Sequence, residues 1–310
     1  MDQKNVTTIH LLGFPGLHGV KPLLFLLFLI TYFGTISGNM LVITLVSYSK
    51  NLHCPMYFFL TQLTMSDIIV TSDIVPTMLY IILKDGITMS LSQCIIQLYF
   101  FGSCEGFECL LLTVMSYDRY LAICNPLHYG SIMNPRLCRK SIVICWLSSF
   151  LVTLIQALNI SQLPFLESNV IDHFFCDLDP ILQLSTSDIL VIETLEMYLC
   201  IPVVLIPFLI IIISYVYIVR TILNIRSITG RQKAFTTCTS HLIVVSIFFG
   251  TLSCMYFIPI KKKSVVESKT ISLFYTVVTP LLNPTIYCLR NNDIREALRK
   301  KTFLLNWLCF

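Results

Sequence analysis

The stretch LLFLLFLITYFGTISGNMLVITLVSY, from Leu23 to Tyr48, carries no charged side chain and exceeds the roughly 20 residues that a helix needs to cross a bilayer. Uncharged runs of similar length predict further helices over 141–162, 197–219, 234–260 and 270–289. Two more segments, 56–83 and 95–121, qualify although Asp67 and Asp73 interrupt the first and Glu105, Glu108, Asp118 and Arg119 the second. The reading is an all-α membrane protein, one seven-transmembrane helix bundle over 1–310 with a short C-terminal amphipathic helix.

Composition agrees: 55% of residues are hydrophobic and 12% charged, far from the balance of a soluble domain. With the N-terminus outside, the inner loops and tail hold Lys50, Arg119, Arg136, Arg139, Lys140, Arg220, Arg226, Arg231, Lys233, Arg290, Arg295, Arg299, Lys300 and Lys301. That is fourteen of the 21 basic residues, leaving seven outside, so the positive-inside bias favours a multi-pass protein with an extracellular N-terminus. The net charge of +4 is accounted for by anionic inner-leaflet lipid and a cytoplasmic partner, without nucleic acid. The polar Met1–His10 and the long first run argue against a cleavable signal, so the first helix is expected to direct its own insertion. Asn5-Val6-Thr7 is a glycosylation acceptor triplet on the outer side, whereas Asn159-Ile160-Ser161 lies too near the membrane.

Cys94 and Cys176 stand apart among thirteen cysteines because both fall on the oxidising outer side. A bridge between them would pin the long outer loop Gln162–Glu193 across the mouth of the bundle; the alternative is two free extracellular thiols. Pro202, Pro207, Pro259, Pro280 and Pro284 interrupt apolar runs and mark candidate kinks.

Polar groups inside hydrocarbon are costly and must find one another or water. Asn39, Asp67, Glu108 and Asn283 lie on four predicted helices and read as a hydrated network able to hold a sodium ion or a proton near Asp67 and Glu108. A static polar staple is the other reading. At the inner end of the third helix, Asp118-Arg119-Tyr120 reads as a latch: Asp118 holds Arg119 in one state, and release frees a docking surface. Asn283-Pro284-Thr285-Ile286-Tyr287 is a broken polar turn suited to a conformational switch. No His/Cys/carboxylate cluster has hydrolytic or metal spacing, so neither an enzyme, another metal nor a cofactor is expected.

The chain resembles the odorant receptors, within the rhodopsin-like G-protein-coupled receptors. The likeness is carried by Leu11-Leu12-Gly13-Phe14, Gly38-Asn39, Pro55-Met56-Tyr57-Phe58-Phe59-Leu60, Met115 to Cys124, Ser214-Tyr215, Lys233 to Leu242, and Pro280 to Tyr287. This resemblance implies a plasma-membrane receptor that binds a small odorant and activates a stimulatory olfactory-type G protein, raising cAMP. It places coupling and switching at Asp118, Arg119, Tyr120, Tyr215, Lys233, His241, Asn283, Pro284 and Tyr287, and a ligand pocket at Phe101, Gly102, Glu105, Leu199, Val203, Phe249, Ser253, Tyr256 and Thr276.

The sequence departs from the family pattern in four places. Ser116 stands where alanine is usual, Phe249 where tyrosine is usual, and Glu105 where a small residue is usual. Glu167 and Thr186 occupy the places of a second outer-loop cysteine pair. Glu105 and Glu108 lie near one face of the third helix, which suits an amine ligand; the alternatives are a neutral Glu105 bonded to a hydroxyl such as Ser103, or one turned toward water. Lys261-Lys262-Lys263 reads as a solvated outer cap. Cys288 and Cys309 are candidate acylation sites, idle thiols being the commoner case. Two competing readings are a transporter, which should show paired repeats, and a same-superfamily receptor for an internal metabolite or hormone.

Overall fold

The computed structural model describes residues 7–165, 169–185, 189–257, 264–291 and 293–300. Asn5, Glu167, Thr186, Pro259, Lys261 to Lys263 and Cys309 lie outside them. Among the described residues, seven helices are long and apolar enough to cross a membrane. The crossings are α1 (Lys21–Tyr48), α2 (Pro55–Lys84), α3 (Leu91–Cys124), then α5 (Pro135–Ser161) after the short inner-loop helix α4 (Pro126–Ile132). The outer loop contains α6 (Leu178–Gln183). The fifth crossing joins α7 (Ile189–Cys200) to α8 (Ile206–Leu223), the sixth is α9 (Ile228–Phe257), and the seventh joins α10 (Val265–Leu273) to α11 (Thr279–Arg290).

Local chemistry sets the ends. Ser90 Oγ accepts from the Gln93 backbone N–H at 3.1 Å while Gln93 Oε1 accepts from the Ser90 N–H at 2.9 Å, a capping box that starts α3 four residues before the expected 95. Ser264 and Glu267 build the same box and start α10 earlier than 270. Pro202 lies in a π-helical turn, Ile201–Leu205, that joins α7 to α8, and Pro280 follows a second such turn, Phe274–Val278. These wide turns absorb the backbone hydrogen bond that each proline removes. Pro76 inside α2 is a further interruption that the apolar runs alone did not reveal.

α3 is the hub, packed against α2, α5, α8 and α9. Its buried face runs from Cys94 to Leu121. Leu23, Leu26, Leu27, Ile30 and Phe33 project outward from α1. In water such a stripe would drive aggregation; facing lipid tails it costs nothing.

A three-stranded sheet, absent from the sequence reading, covers the outer mouth in the order β2-β1-β3. β1 (Thr8–Leu11) pairs antiparallel with β2 (Ile87–Ser90), Thr8 opposite Ser90 and Leu11 opposite Ile87. It pairs parallel with β3 (Val170–Ile171). The chain then turns at Gly13, whose φ of +69° and whose missing Cβ, which would sit 2.1 Å from Ile81 Cγ2, both require glycine. Phe14 follows and stacks on Phe174 at 5.5 Å. Behind the seventh crossing, 293–300 is helical, with Ile294 buried and Arg295, Arg299 and Lys300 exposed, the predicted amphipathic pattern.

Candidate functional site

The outer site begins with the Cys94–Cys176 disulfide, whose Cα atoms are 5.3 Å apart. It ties the start of α3 to the middle of the outer loop, the arrangement that the sequence left open. Gln97 completes the anchor: its Oε1 accepts from the Cys176 backbone N–H at 3.0 Å and its Nε2 donates to the Asp73 carbonyl at 3.0 Å. The loop is clamped to the seventh crossing too. Asp177 Oδ2 accepts from Tyr275 Oη at 2.5 Å and Ser272 Oγ at 3.3 Å, and Lys269 Nζ donates to Asp172 at 2.6 Å. His173 is buried in this lid with Nδ1 3.2 Å from the Phe175 carbonyl, and burial pushes its pKa down to about 4.

Beneath the lid lies a cavity of about 100 Å³. Phe101, Gly102, Glu105, Leu199 and Val203, five of the residues offered as a ligand pocket, line it. Leu252, Met255 and Tyr275 supply the sixth and seventh crossings, and Ser149, Val152, Thr153 and Gln156 on α5 form a wall that the sequence reading missed. The missed signal was Gly102 and Gly106, one turn apart: a Cβ on Gly102 would meet Thr153 Cγ2 at 3.2 Å, and one on Gly106 would meet Val203 at 3.2 Å and Ser149 Oγ at 3.3 Å.

Three of the expected lining residues are placed differently. Phe249 and Ser253 line a separate groove between α8 and α9, where Phe249 is buried and packs on Phe208 with ring centres 5.0 Å apart. Thr276 is wholly buried and donates to the Ser272 carbonyl at 2.7 Å, because the π-helical turn shifts the helix phase and presents Tyr275 to the cavity instead. Tyr256 lies on α9, but its side chain is outside the described set.

Glu105 has Oε2 buried without a hydrogen-bond partner among the described residues. Ser103 does not serve it: its hydroxyl donates to the Tyr99 carbonyl at 2.7 Å and lies 2.6 Å from Thr153 Oγ1. Deeper in the bundle, Asn283 Nδ2 donates to both Asp67 oxygens at 3.0 and 3.1 Å. Glu108 is buried within electrostatic reach of Asp67. Asn39 does not join through its side-chain partners; it donates to the Thr35 and Pro280 carbonyls at 3.0 and 3.1 Å, tying α1 to the seventh crossing.

At the inner end Asp118 Oδ2 accepts from Arg119 Nε at 3.0 Å and also from Arg119 Nη2. Tyr129 on α4, not foreseen from the sequence, donates to Asp118 Oδ1 at 2.8 Å. Asp118 thus holds Arg119, with Tyr129 as a further donor. Tyr215 Oη lies 2.6 Å from His241 Nδ1, Tyr120 packs edge-on against Tyr217, and Tyr287 is wholly buried beside the Asp67 region. A Cβ on Gly38 would lie 3.2 Å from Pro284 Cγ, so glycine lets α1 approach α11, which runs as an unbroken helix through Pro284 instead of the broken turn expected. Lys233 lies on α9, its side chain outside the described set. Tyr57 Oη donates to Asn291 at 3.0 Å and Asp293 at 2.8 Å, joining α2 to the C-terminal helix.

The sequence profile described as "Olfactory receptor" matches residues 26–305. The chain belongs to the olfactory receptor family. It is 46% identical over 295 residues to human olfactory receptor 11L1, covering 95% of this chain and 92% of the relative. It is 46% identical over 290 residues to human olfactory receptor 11G2, with 94% and 84% covered, and 43% identical over 302 residues to human olfactory receptor 6B1, with 97% and 96% covered. An olfactory receptor is an odorant receptor.

Proposed function

We propose that this odorant receptor binds a small odorant in the cavity between α3, α5 and the fifth to seventh crossings, and thereby activates a stimulatory olfactory-type G protein, raising cAMP. The observation that supports this most is the held Arg119 at the inner end of α3, the same helix that walls the cavity through Phe101 and Glu105. A ligand that repacks this wall acts on the helix carrying the latch. Signalling follows only if it stabilises the released state more than the held one.

Between cavity and latch, Asp67 and Glu108 form the coupling element. Two buried carboxyls need a shared proton or a cation, and the buried hydroxyl of Ser66, a hydrogen-bond partner of Glu108, adds an oxygen suited to sodium. Released Arg119, with Tyr215, His241 and Lys233 and the inner loop around Tyr129, offers the G-protein surface. The reading places the receptor in the plasma membrane with its N-terminus outside and Asn5 glycosylated.

Arg119→Ala tests the mechanism. It should lose ligand-driven cAMP per receptor at the surface, because it removes the docking group, and it should lower surface density, because it leaves buried Asp118 with Tyr129 alone. A parental cAMP response in that variant overturns the coupling role.

A further inference from the structure

Glu105 is a polar group with no stated purpose inside the protein. Its Oε2 is buried and unpartnered among the described residues, yet its side chain lines the outer cavity. Charge in such a place needs an opposite charge or a donor, since an unpaired buried carboxylate is strongly destabilising. Its surroundings make the need greater, because Glu108 and Asp177 both act on Glu105 with the same sign. Among the described residues, no Lys, Arg or His lines the cavity. Two buried basic side chains are engaged elsewhere: Lys269 by Asp172 in the lid and Arg119 by Asp118 at the inner end.

A second unpartnered polar atom faces the same space. Ser149 Oγ, on α5 where it packs against α3, is buried without a hydrogen-bond partner among the described residues, and it approaches the position of a Cβ on Gly106 within 3.3 Å. The rest of the lining is largely apolar, with Phe101, Leu199, Val203 and Leu252 among it.

We propose that the ligand is a small aliphatic amine, bound as its ammonium with Glu105 as counter-ion and with its alkyl body against the apolar wall. This rests on the reading of the cavity as the ligand site and names the ligand's chemistry. An alkyl ammonium keeps its proton at pH 7, as a lysine side chain does, so it arrives charged. Size limits the body. An apolar cavity of about 150 Å³ holds benzene, and this one is about 100 Å³, so a chain of a few carbons fits. Ser149 serves as a second anchor, accepting another ammonium proton or bonding a hydroxyl on the ligand.

The test takes the full-length receptor in detergent at pH 7 and follows its thermal unfolding midpoint with n-butylamine, butan-1-ol and butanoic acid, with a cAMP reporter in cells run in parallel. Butylamine should raise the midpoint at concentrations at least about tenfold below those required of the alcohol or the acid. Glu105→Gln should weaken the butylamine effect by on the order of 100-fold, the usual scale for removing one member of a buried charge pair, while leaving the alcohol's effect in place. Equal responses to amine and alcohol overturn the proposal. So does the absence of a shift with every n-alkylamine from methyl to hexyl, or an undiminished butylamine effect in Glu105→Gln. If that variant cannot be purified, the comparison of amine with alcohol on the parent decides alone. The two readouts separate the claims: a midpoint shift with silent cAMP overturns the coupling reading and keeps the amine site, whereas cAMP responses to alcohols without amine binding do the reverse.

Discussion

Two single residues, Asp118 and His173, show how a charge or its absence is held in place. Asp118 is wholly buried and takes three hydrogen bonds from two side chains, Arg119 and Tyr129. Tyr129→Phe keeps the ring and deletes one donor. A hydrogen bond to a charged group is worth roughly 1.5–3 kcal/mol, so the held state should lose about that much and basal cAMP should rise by about tenfold or more at equal surface density. Unchanged basal cAMP would mean that Tyr129 is not part of the latch. His173 works by staying neutral. Its pKa is about 4 in the folded lid and 6.5 when unfolded, so folding stability is full above pH 6.5 and falls as pH drops toward 4. The scale is roughly 3 kcal/mol. The charged groups around it are Asp172, Asp179 and Lys269. A His173→Gln receptor should show a flatter unfolding midpoint between pH 6.5 and 4 than the parent; parallel curves would assign the acid sensitivity to other groups. At this scale the sequence revealed Glu105 and Phe101 readily, because helical spacing along one unbroken helix fixes which residues share a face. It misplaced Thr276 because a π-helical turn changes that spacing. It misplaced Phe249 because the facing of α9 is set by contact with Phe208, which spacing within α9 does not reveal.

Whole elements were legible where hydropathy alone decides them, as in the seven crossings. Their ends were not, because caps such as Ser90 with Gln93 are written in two polar residues that hydropathy ignores. The sheet was hidden for another reason. Its strands are two to four residues long and pair across wide sequence separations, Thr8 with Ser90 and His10 with Val170, so no local period announces them. What docks that sheet on the bundle is Gly13 against α2. Gly13→Ala places a methyl 2.1 Å from Ile81 Cγ2 at a backbone angle that alanine disfavours. The expected cost is about 1–3 kcal/mol, seen as a lower unfolding midpoint and reduced surface density. A parental midpoint would show that the outer sheet is free to shift without penalty to the lid.

Across the whole molecule the question is whether the buried acids switch or merely staple. Asn283 reaches from the seventh crossing to Asp67 on α2, Glu108 faces Asp67 from α3, and α3 carries both the cavity wall and Arg119. The three crossings that meet there are those whose relative movement would carry a signal inward. Asp67→Asn preserves shape and leaves a side-chain acceptor for Asn283 Nδ2, while removing the charge that a proton or cation must balance. If the site is a staple, this exchange relieves a costly buried charge and leaves signalling in proportion to surface density. If it is a switch, the energy difference between held and released states changes while the fold does not. Surface density should then be kept or increased, and the ligand-driven rise in cAMP should fall by about tenfold, which corresponds to roughly 1.4 kcal/mol in that equilibrium. Measuring surface density and maximal cAMP on the same cells separates the two. A proportional change in both would reduce Asp67, Glu108 and Asn283 to static packing and leave the latch to be reached by another route.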